Sequence, residues 1–466
     1  MGIAIFSRLI VGAISLVVIG ILTRSLGPTG YGYYNLIFAY LFIFSSIADL
    51  GLYTIFVREV SKAETSQEEE TIASRIFTLR FGFIILILLV AAFLVFALPY
   101  PLLVKLGIAI ASLFSLFSSL VQILTGIFQK YLRLYLVSLA DVISRLCQLV
   151  LLVIAVYLKS GLLLFIGAAV TAELIHFILI FLFSRSLIKI KISVDFEYWR
   201  EILKIALPIA ASLVFVLIYF KLDTVLLSLM KPAYDVGVYS VAYKILEAVI
   251  FLPAIYIGLI MPLLSKHAFA DREEFKKTFQ SAFNTLSIFA LPFAAYIFVL
   301  SDPIVKIIGG AGFEQSGPVL KILSFAILMI FFGNLGGNAI VALNLQKKGM
   351  WIYLAGAVFN VAANLIFIPR YSYFAAAWTT VSTEVLITLW MFWLINKETG
   401  ILPEKTIIAK AAVATAVMFI VMWPFLGNFI WATLAAVSYL PTLFLLKGFT
   451  KEDLREIISL KGNTYS

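Results

Sequence analysis

Long apolar segments follow one another along the entire chain, and short polar connections separate them. Each apolar segment is close to the roughly 20 residues that a helix needs to cross a bilayer. The pattern therefore predicts an all-α integral membrane protein with about fourteen transmembrane helices. These lie near residues 3–25, 31–56, 76–98, 102–128, 134–158, 161–183, 205–230, 236–264, 279–300, 319–345, 349–368, 372–395, 406–424 and 428–446.

The positive charges are divided unevenly between the connections, and cytoplasmic loops of membrane proteins retain lysine and arginine. The connections that follow even-numbered helices, together with the C-terminal tail, hold most of them, including Arg75 and Arg80. The remaining connections and helix ends hold Arg24, Lys105, Lys159, Lys231, Lys306, Lys321 and Arg370. We therefore expect both termini to be cytoplasmic.

A weak internal repeat predicts two similar lobes. The run Tyr31-Gly32-Tyr33-Tyr34 follows the first helix, and Val236-Gly237-Val238-Tyr239 follows the seventh. Ser61-Lys62 and Ser265-Lys266 then recur at nearly the same offset. Repeated halves with a binding site between them are a common plan for secondary transporters.

The longest connection, near 184–204, is the natural boundary between these lobes. No connection is long enough to hold a soluble catalytic domain. We expect two six-helix lobes, a linker between them, two extra transmembrane helices and a cytoplasmic tail. The lobes are predicted at 1–184 and 205–396, and the linker between them at 185–204. The two extra helices are predicted at 397–446 and the tail at 447–466.

Composition agrees with a membrane protein. Hydrophobic residues make up 63% of the chain and charged residues 13%, whereas soluble domains average about 45–50% and 25%. A single soluble core could not bury so much apolar surface. We expect a multi-pass protein of the cell membrane, surrounded by lipid. The net charge of +10 is explained by the inner loops and needs no nucleic-acid partner.

The chain is poor in residues that ligate metals. Cys147 is the single cysteine, and His176 and His267 are the two histidines. A disulfide framework and a cysteine metal site are thereby excluded, and a histidine-rich metal centre is disfavoured. We expect no metal and no cofactor other than a coupling ion, Na⁺ or H⁺.

Charged side chains inside hydrocarbon cost several kcal/mol, so each one needs an explanation. On antiparallel helices, residues equally far from their connection share a depth. This places Arg8 level with Asp49 and Arg145 level with Glu173, and Asp141 precedes Arg145 by four residues. We interpret Arg8, Asp49, Asp141 and Arg145 as structural ion pairs, and we keep Glu173 as a candidate for ion coupling.

A second group of charges lies on the seventh and eighth helices. Asp223 and Lys244 are equally far from the connection and share a depth, while Lys244 and Glu247 are i,i+3 neighbours on one helix face. Lys221, Asp223 and Lys244 are interpreted as lining a polar central cavity, with structural ion pairing as the alternative. Cations there suit a phosphate or pyrophosphate group. Asp223 and Glu384 are further candidates for ion coupling.

Two pairs of asparagines occur at i,i+4 spacing. Asn334 and Asn338 lie on the tenth predicted helix, and Asn360 and Asn364 lie on the eleventh. Side chains at this spacing share a helix face. Contact with sugar hydroxyls and hydrogen bonding between helices are both open interpretations.

Several short motifs occur in order along the first part of the chain. They are Arg24-Ser25-Leu26-Gly27-Pro28-Thr29-Gly30-Tyr31-Gly32, Asp49-Leu50-Gly51-Leu52, Arg58-Glu59-Val60-Ser61-Lys62, Leu207-Pro208, Leu222-Asp223-Thr224-Val225-Leu226-Leu227, Val236-Gly237-Val238-Tyr239-Ser240-Val241-Ala242-Tyr243 and Met261-Pro262-Leu263-Leu264-Ser265-Lys266. In this order and spacing they resemble the polysaccharide transporter branch of the MOP flippase superfamily. Helices ten to fourteen add little beyond hydropathy to the resemblance.

The resemblance implies a two-lobed bundle whose central cavity opens alternately to the two sides of the membrane. It also implies a substrate, a polyprenyl- or dolichyl-pyrophosphate-linked glycan made on the cytoplasmic face. Relatives often carry arginine at the positions of Arg24, Lys221 and Lys244. The two lysines keep the charge but lose the two-pronged geometry of arginine. The candidate substrate-binding residues are Arg24, Lys221, Asp223, Lys244 and Glu247.

We therefore expect a flippase for lipid-linked oligosaccharides and not an enzyme, with a polysaccharide polymerase or glycosyltransferases as candidate partners. A multidrug exporter of the same superfamily is the nearest alternative, and it would need a deep acidic residue such as Glu384. A membrane glycosyltransferase or polymerase would need a large outer loop with paired carboxylates. The outer loop near 301–318 offers Asp302 and Glu314 alone. A scaffold without transport activity is a further alternative.

Overall fold

A computed structural model gives the fold; it describes the backbone of residues 2–49 and 51–448 and the side chains of 10–49, 51–206 and 221–448. Within these residues the chain forms α-helices, one short 3-10 helix and no β-strand. The helices are α1 (Gly2–Asp49), α2 (Leu52–Lys62), α3 (Ser66–Ala97), α4 (Leu102–Lys130), α5 (Leu134–Tyr157), α6 (Leu162–Ser184), α7 (Phe196–Met230), α8 (Ala233–Ala270), α9 (Arg272–Ile308), α10 (Ser316–Ala342), α11 (Gln346–Thr399), α12 (Thr406–Met422), α13 (Phe429–Ala436) and α14 (Tyr439–Leu445).

Two of the longest helices are broken by residues with non-helical backbone. Gly27 interrupts α1 with φ 62°, and Ser372 interrupts α11 with φ 51°. Glycine adopts this left-handed conformation without a steric penalty, and Pro28 after it suits the first position of a new helix. These breaks separate the predicted helices 3–25 and 31–56, and likewise 349–368 and 372–395.

The protein is an all-α, multi-pass integral membrane protein. Ten helices among the described residues are long and apolar enough to cross a membrane, and these ten include the broken helices α1 and α11. Many large hydrophobic side chains point outward, among them Phe93, which is 79% exposed. Such exposure is expected where lipid is the solvent.

Hydropathy misplaces several helix ends because it detects only the apolar part of a helix. α3 begins at Ser66 instead of near 76, and α7 begins at Phe196 instead of near 205. Both starts have a side-chain cap: Thr65 accepts a hydrogen bond from the Glu68 N–H, and Asp195 accepts one from Tyr198. The predicted helix 428–446 corresponds to the apolar helical range Phe429–Leu445, which a short turn divides into α13 and α14.

By backbone packing the chain divides into two compact units. The first takes the described residues within Met1–Val241, Ile307–Phe313 and Ala357–Ala376. The second takes those within Ala242–Lys306, Glu314–Gly356 and Ala377–Ser466. The predicted linker 185–204 lies inside the first unit, while the division into six-helix lobes stays a prediction.

Each unit has its own apolar core. In the first unit, a cluster centred on Phe56, Phe128 and Ile180 joins α2, α4 and α6. In the second, Leu300, Met418 and Tyr439 belong to a cluster that joins α9, α12 and α14. These cores fix the helix positions from which the functional side chains extend.

Candidate functional site

The two copies of the internal repeat meet in the first unit, where Gly32 of α1 and Gly237 of α8 face each other. A Cβ added to Gly32 would lie 1.8 Å from the carbonyl oxygen of Ala233. A Cβ added to Gly237 would lie 2.0 Å from the carbonyl oxygen of Pro28. Each glycine thus touches the carbonyl four residues before the other, and the contact is reciprocal. We call this contact the glycine seam.

The seam lies where two helices start again after a break in the chain. The second half of α1 begins after Gly27, and α8 begins after the short connection that follows Met230. Tyr31 and Tyr239, beside the two glycines, are fully buried. Only glycine permits such a close approach of two backbones. With a cytoplasmic N-terminus, the seam lies on the predicted outer side of the membrane.

Arg24 and Thr23 bind the C-terminal end of α9. The Arg24 guanidinium donates hydrogen bonds to the carbonyls of Ile307, at 2.6 Å, and Ile308, at 3.1 Å. The Thr23 hydroxyl also donates to the Ile308 carbonyl, at 3.1 Å. The last carbonyls of a helix lack partners within it and carry partial negative charge, so a cation stabilises them. In this conformation Arg24 is therefore a helix cap.

Gly310 and Gly312 allow the loop after α9 to reach this place. Both have left-handed backbone, with φ 80° and 88°. A Cβ on Gly310 would lie 3.1 Å from Arg24 Cγ, and one on Gly312 would lie 3.2 Å from Pro28 Cγ. The loop, Arg24 and the seam thus form one contiguous region of the first unit.

Asp223 on α7 is the centre of a buried polar cluster in the first unit. Its carboxylate is 1% exposed and accepts hydrogen bonds from Asn364 Nδ2, at 2.6 Å, and from the Tyr239 hydroxyl, at 3.2 Å. Asn364 Nδ2 also donates to Asn360 Oδ1, at 3.1 Å. Of the two open interpretations of these asparagines, hydrogen bonding between helices is the one that the structure displays.

The cluster contains one buried oxygen whose hydrogen-bonding capacity is unused. Both hydrogens of the Asn364 amide have acceptors, and its Oδ1 is buried without a hydrogen-bond partner. Such groups are rare in native proteins, because each costs free energy unless water or an ion satisfies it. A carboxylate and amide oxygens are the ligands that hard cations prefer. The cluster is therefore suited to hold a small cation.

The candidate lysines divide between the two units. Lys221, in the first, places its ammonium 5.8 Å from the centroid of the Phe42 ring. Lys244, in the second, pairs with Glu247 at 2.6 Å, and their side chains are 36% and 30% exposed. The i,i+3 relation that the sequence indicates is present. Half-exposed ammonium groups keep access to a ligand from solvent.

Glu384 on α11 is buried in the second unit, with 5% of its surface exposed. Gly333 of α10 makes room beside it: a Cβ there would lie 4.0 Å from Glu384 Oε2 and 3.0 Å from the Thr388 hydroxyl. The Asn334 and Asn338 amides, also on α10, donate to carbonyls of their own helix. A deep carboxylate of this kind is a functional candidate.

The predicted charges of α5 and α6 pair along their own helices. Asp141 Oδ1 lies 3.4 Å from Arg145 Nε, and Arg145 also donates to Gln148 at 3.1 Å. Glu173 is 6% exposed and lies 3.6 Å from His176 Nδ1. The sequence places Arg145 level with Glu173, whereas the contacts displayed are within each helix.

Asp49 is paired with Arg80, a residue that the sequence does not predict as its partner. Arg80, which the sequence pattern places among the cations of an inner connection, is 1% exposed and forms an ion pair with Asp49. It also donates to Ser119 Oγ at 2.7 Å and Gln122 Oε1 at 2.9 Å. Arg80 lies well inside α3, because α3 begins at Ser66 and not near residue 76. The side chain of Arg8 lies outside the described residues.

Comparisons with known proteins relate the chain to membrane transporters. The family model "Polysaccharide biosynthesis protein" matches residues 1–268, and the MatE model matches residues 208–366. An uncharacterized membrane protein of Methanocaldococcus jannaschii is 26% identical over 110 residues, which is 24% of this chain and only 22% of that protein. A putative O-antigen transporter of Shigella flexneri is 24% identical over 81% of this chain and 93% of its own.

The fold has a solved counterpart over nearly its whole length. The inward closed conformation of the lipid II flippase MurJ superposes with a TM-score of 0.80 at 15% identity. The match covers 97% of this chain and 100% of that one. At this identity the likeness establishes the fold alone.

Proposed function

The chain belongs to the polysaccharide biosynthesis protein family, within the MOP flippase superfamily, and we propose that it flips a lipid-pyrophosphate-linked oligosaccharide from the cytoplasmic to the outer face. The observation that carries the proposal is the family match over residues 1–268. It includes the glycine seam and Arg24. The Shigella flexneri relative, a putative O-antigen transporter matched over 93% of its length, supports the same substrate class.

The glycine seam is the proposed outer gate. A flippase must close one side of its pathway while the other is open, so that the headgroup crosses without a continuous pore. The carbonyls of Pro28 and Ala233 contact the opposite glycines, so the seam excludes even a methyl group. Release of the glycans to the outer side then requires this contact to part.

Arg24 takes two alternative partners in the proposal. In the described conformation it binds the Ile307 and Ile308 carbonyls. A pyrophosphate offers charged oxygens, which hydrogen-bond a guanidinium more strongly than neutral carbonyls do. Arrival of the headgroup thus competes for Arg24 and weakens the cap on α9. Lys221 and Lys244 supply further positive charge for the pyrophosphate, while the polyprenyl chain stays in lipid.

The Asp223 cluster is the proposed site of the coupling ion, Na⁺. Its buried carboxylate and the unused Asn364 Oδ1 are oxygen ligands on α7 and α11. A cation bound there neutralises the carboxylate and is coordinated by the amide oxygen that otherwise has no partner. Glu384 and Glu173 are alternative sites at which a proton could be the coupling ion.

The direct test is translocation by the purified protein in liposomes. A fluorescent polyprenyl-pyrophosphate oligosaccharide is incorporated, and access to its headgroup from outside is followed over time. Wild type is compared with Lys221→Ala/Lys244→Ala. The matched control is Lys276→Ala/Lys347→Ala, which removes two charges from exposed lysines.

We expect wild type and the control to translocate and the Lys221→Ala/Lys244→Ala variant to lose most of its rate. Equal rates in all three would keep the flippase and reject the lysines as headgroup ligands. No translocation by folded wild type, with several glycans and with sodium or proton gradients, would reject the flippase.

A multidrug exporter is the second candidate, and the MatE match over residues 208–366 favours it. The buried carboxylate of Glu384 would then exchange a cationic drug for a proton or sodium ion. The same liposomes, loaded with a cationic dye and given an ion gradient, distinguish the two. Dye export that Glu384→Gln abolishes, without glycan translocation, would replace the flippase proposal.

A further inference from the structure

The segment 185–196, which runs from the end of α6 to the first residue of α7, is hydrogen-bonded to α3; we call it the strap. The backbone N–H of Lys189 donates to Glu70 Oε1 at 3.3 Å, that of Lys191 to Ser74 Oγ at 3.0 Å and that of Ser193 to Thr78 Oγ1 at 2.9 Å. Every second N–H of the strap thus meets every fourth side chain of α3. The predicted linker is therefore docked and not free.

The repeat distances of the two elements explain this register. Four residues of helix advance about 6.0 Å, and two residues of extended chain advance about 6.6 Å. The two repeats therefore stay in register over the two steps that separate the three hydrogen bonds. At the end of the strap, Asp195 pairs with Arg75 at 3.0 Å, and Trp199 Nε1 donates to the Arg75 carbonyl at 2.9 Å. This fixes the start of α7 as well.

The apolar side chains of the strap divide into a buried and an exposed group. Ile188 is 3% exposed and packs with Ile190 against the core around Phe56 and Phe128. Further along, large apolar side chains point away from the protein: Ile192 is 80% exposed, Val194 57% and Phe196 76%. They form a row of three apolar side chains beside a row of backbone hydrogen bonds.

The length of α3 gives the depth of this apolar row. Counting about 20 residues, one hydrocarbon thickness, back from the end of α3 at Ala97 reaches Thr78. Ser193, bonded to Thr78, therefore lies at the edge of the hydrocarbon on the predicted cytoplasmic side. Ile192, Val194 and Phe196 lie next to it, at the depth of the headgroups and the first acyl carbons.

The charge of the strap complements an anionic membrane surface. Arg185, Lys189 and Lys191 are exposed, and the one acidic residue of the strap, Asp195, is paired with Arg75. Lys189 and Lys191 bind α3 through their backbone N–H groups. Their side-chain ammonium groups can therefore contact another ligand. Basic residues near the cytoplasmic leaflet are attracted to its acidic lipids.

We propose that the strap is a binding surface for anionic phospholipid. Ile192, Val194 and Phe196 enter the boundary between headgroups and acyl chains, and Lys189 and Lys191 contact lipid phosphate. Apolar insertion and basic charge together give stable interfacial attachment, whereas either alone is weak. Because α3 holds the strap from the other side, lipid composition acts directly on the start of α7.

The test places a nitrobenzoxadiazole label on Val194→Cys in the full chain, with Cys147→Ser removing the single native cysteine. The labelled protein is reconstituted in nanodiscs with spin-labelled phosphatidylcholine or spin-labelled phosphatidylglycerol. A label on Gln67→Cys, an exposed polar position at the start of α3, is the control for an aqueous site. Neither measurement requires transport.

We expect the label at 194 to be quenched by acyl-chain spin labels, more by phosphatidylglycerol than by phosphatidylcholine, and the label at 67 to be quenched by neither. Lys189→Gln/Lys191→Gln should lower the preference for phosphatidylglycerol roughly fivefold per lysine. These changes keep the backbone ladder. The control Lys276→Gln/Lys347→Gln, with equal loss of charge, should keep the preference.

Two results would overturn the proposal. Equal, water-like fluorescence at 194 and 67 would reject insertion of the apolar row. Equal quenching at 194 by the two lipids, or an unchanged preference after removal of Lys189 and Lys191, would reject recognition of the anionic headgroup.

Discussion

Replacement of Gly32 by alanine tests the proposed outer gate with a single methyl group. The added Cβ would lie 1.8 Å from the Ala233 carbonyl oxygen, 2.8 Å from its carbonyl carbon and 3.0 Å from the Gly237 nitrogen. An ordinary contact begins at 3.4 Å. The two backbones must therefore separate by about 1.6 Å, and no flexible side chain is there to give way.

The energy of this change can be set within limits. Overpacking of a close contact costs typically 1–3 kcal/mol. If that cost falls on the closed state alone, the ratio of closed to open molecules drops by about 5- to 150-fold. Gly237→Ala, with its Cβ 2.0 Å from the Pro28 carbonyl, should act in the same direction and by a similar amount.

The assay reads access from the predicted outer side. In a Cys147→Ser background, Ser240→Cys places a thiol one turn after Gly237, at a position only 4% exposed. A membrane-impermeant maleimide is added to the outside of intact cells, and the labelling rate is measured. Gly82→Ala is the matched control, because a Cβ on Gly82 would meet nothing within 4 Å.

We expect faster labelling and slower glycan translocation in Gly32→Ala, and wild-type values in Gly82→Ala. A folded Gly32→Ala variant that labels and translocates like wild type would refute the glycine seam as the outer gate. Slow labelling with lost transport would also contradict it, because that result means a closed and not an opened gate.

Three further perturbations test other polar groups. Arg80→Met leaves Asp49 without its cation and should lower the free energy of unfolding by about 3–5 kcal/mol, measured by tryptophan fluorescence on denaturation; a loss below about 1 kcal/mol would contradict a stabilising pair. Sodium chloride should raise the melting temperature of wild type above its value in potassium chloride. At a sodium concentration of a hundred times Kd, the free energy of unfolding should rise by about 2.7 kcal/mol. Asp223→Asn should abolish that rise and Asp302→Asn, an exposed carboxylate, should keep it. Arg24→Gln removes the cap on α9 and should speed outside labelling of the Ser240→Cys reporter, and an unchanged rate would show that the cap does not hold the gate.

The sequence alone determines that this is a helical membrane protein and where most helices run. The physical reason is that lipid imposes a length of about 20 apolar residues and requires every backbone group to be bonded within its own helix. Hydropathy therefore predicts the separate helices on either side of Gly27 and Ser372. The sequence also indicates the repeat of Gly32 and Gly237, because in each copy a tyrosine follows the glycine by two residues.

Only the tertiary structure decided which of these residues meet. The pairing of Arg80 with Asp49 does not follow from the hairpin counts, because the polar start of α3, residues 66–75, is invisible to hydropathy and Arg80 is then counted with a connection instead of a helix. Asn364 is assigned to Asp223 by packing between α7 and α11, which sequence spacing does not encode. Local spacing records neighbours on one helix, as for Lys244 and Glu247, whereas the register between helices depends on side-chain packing along their whole contact.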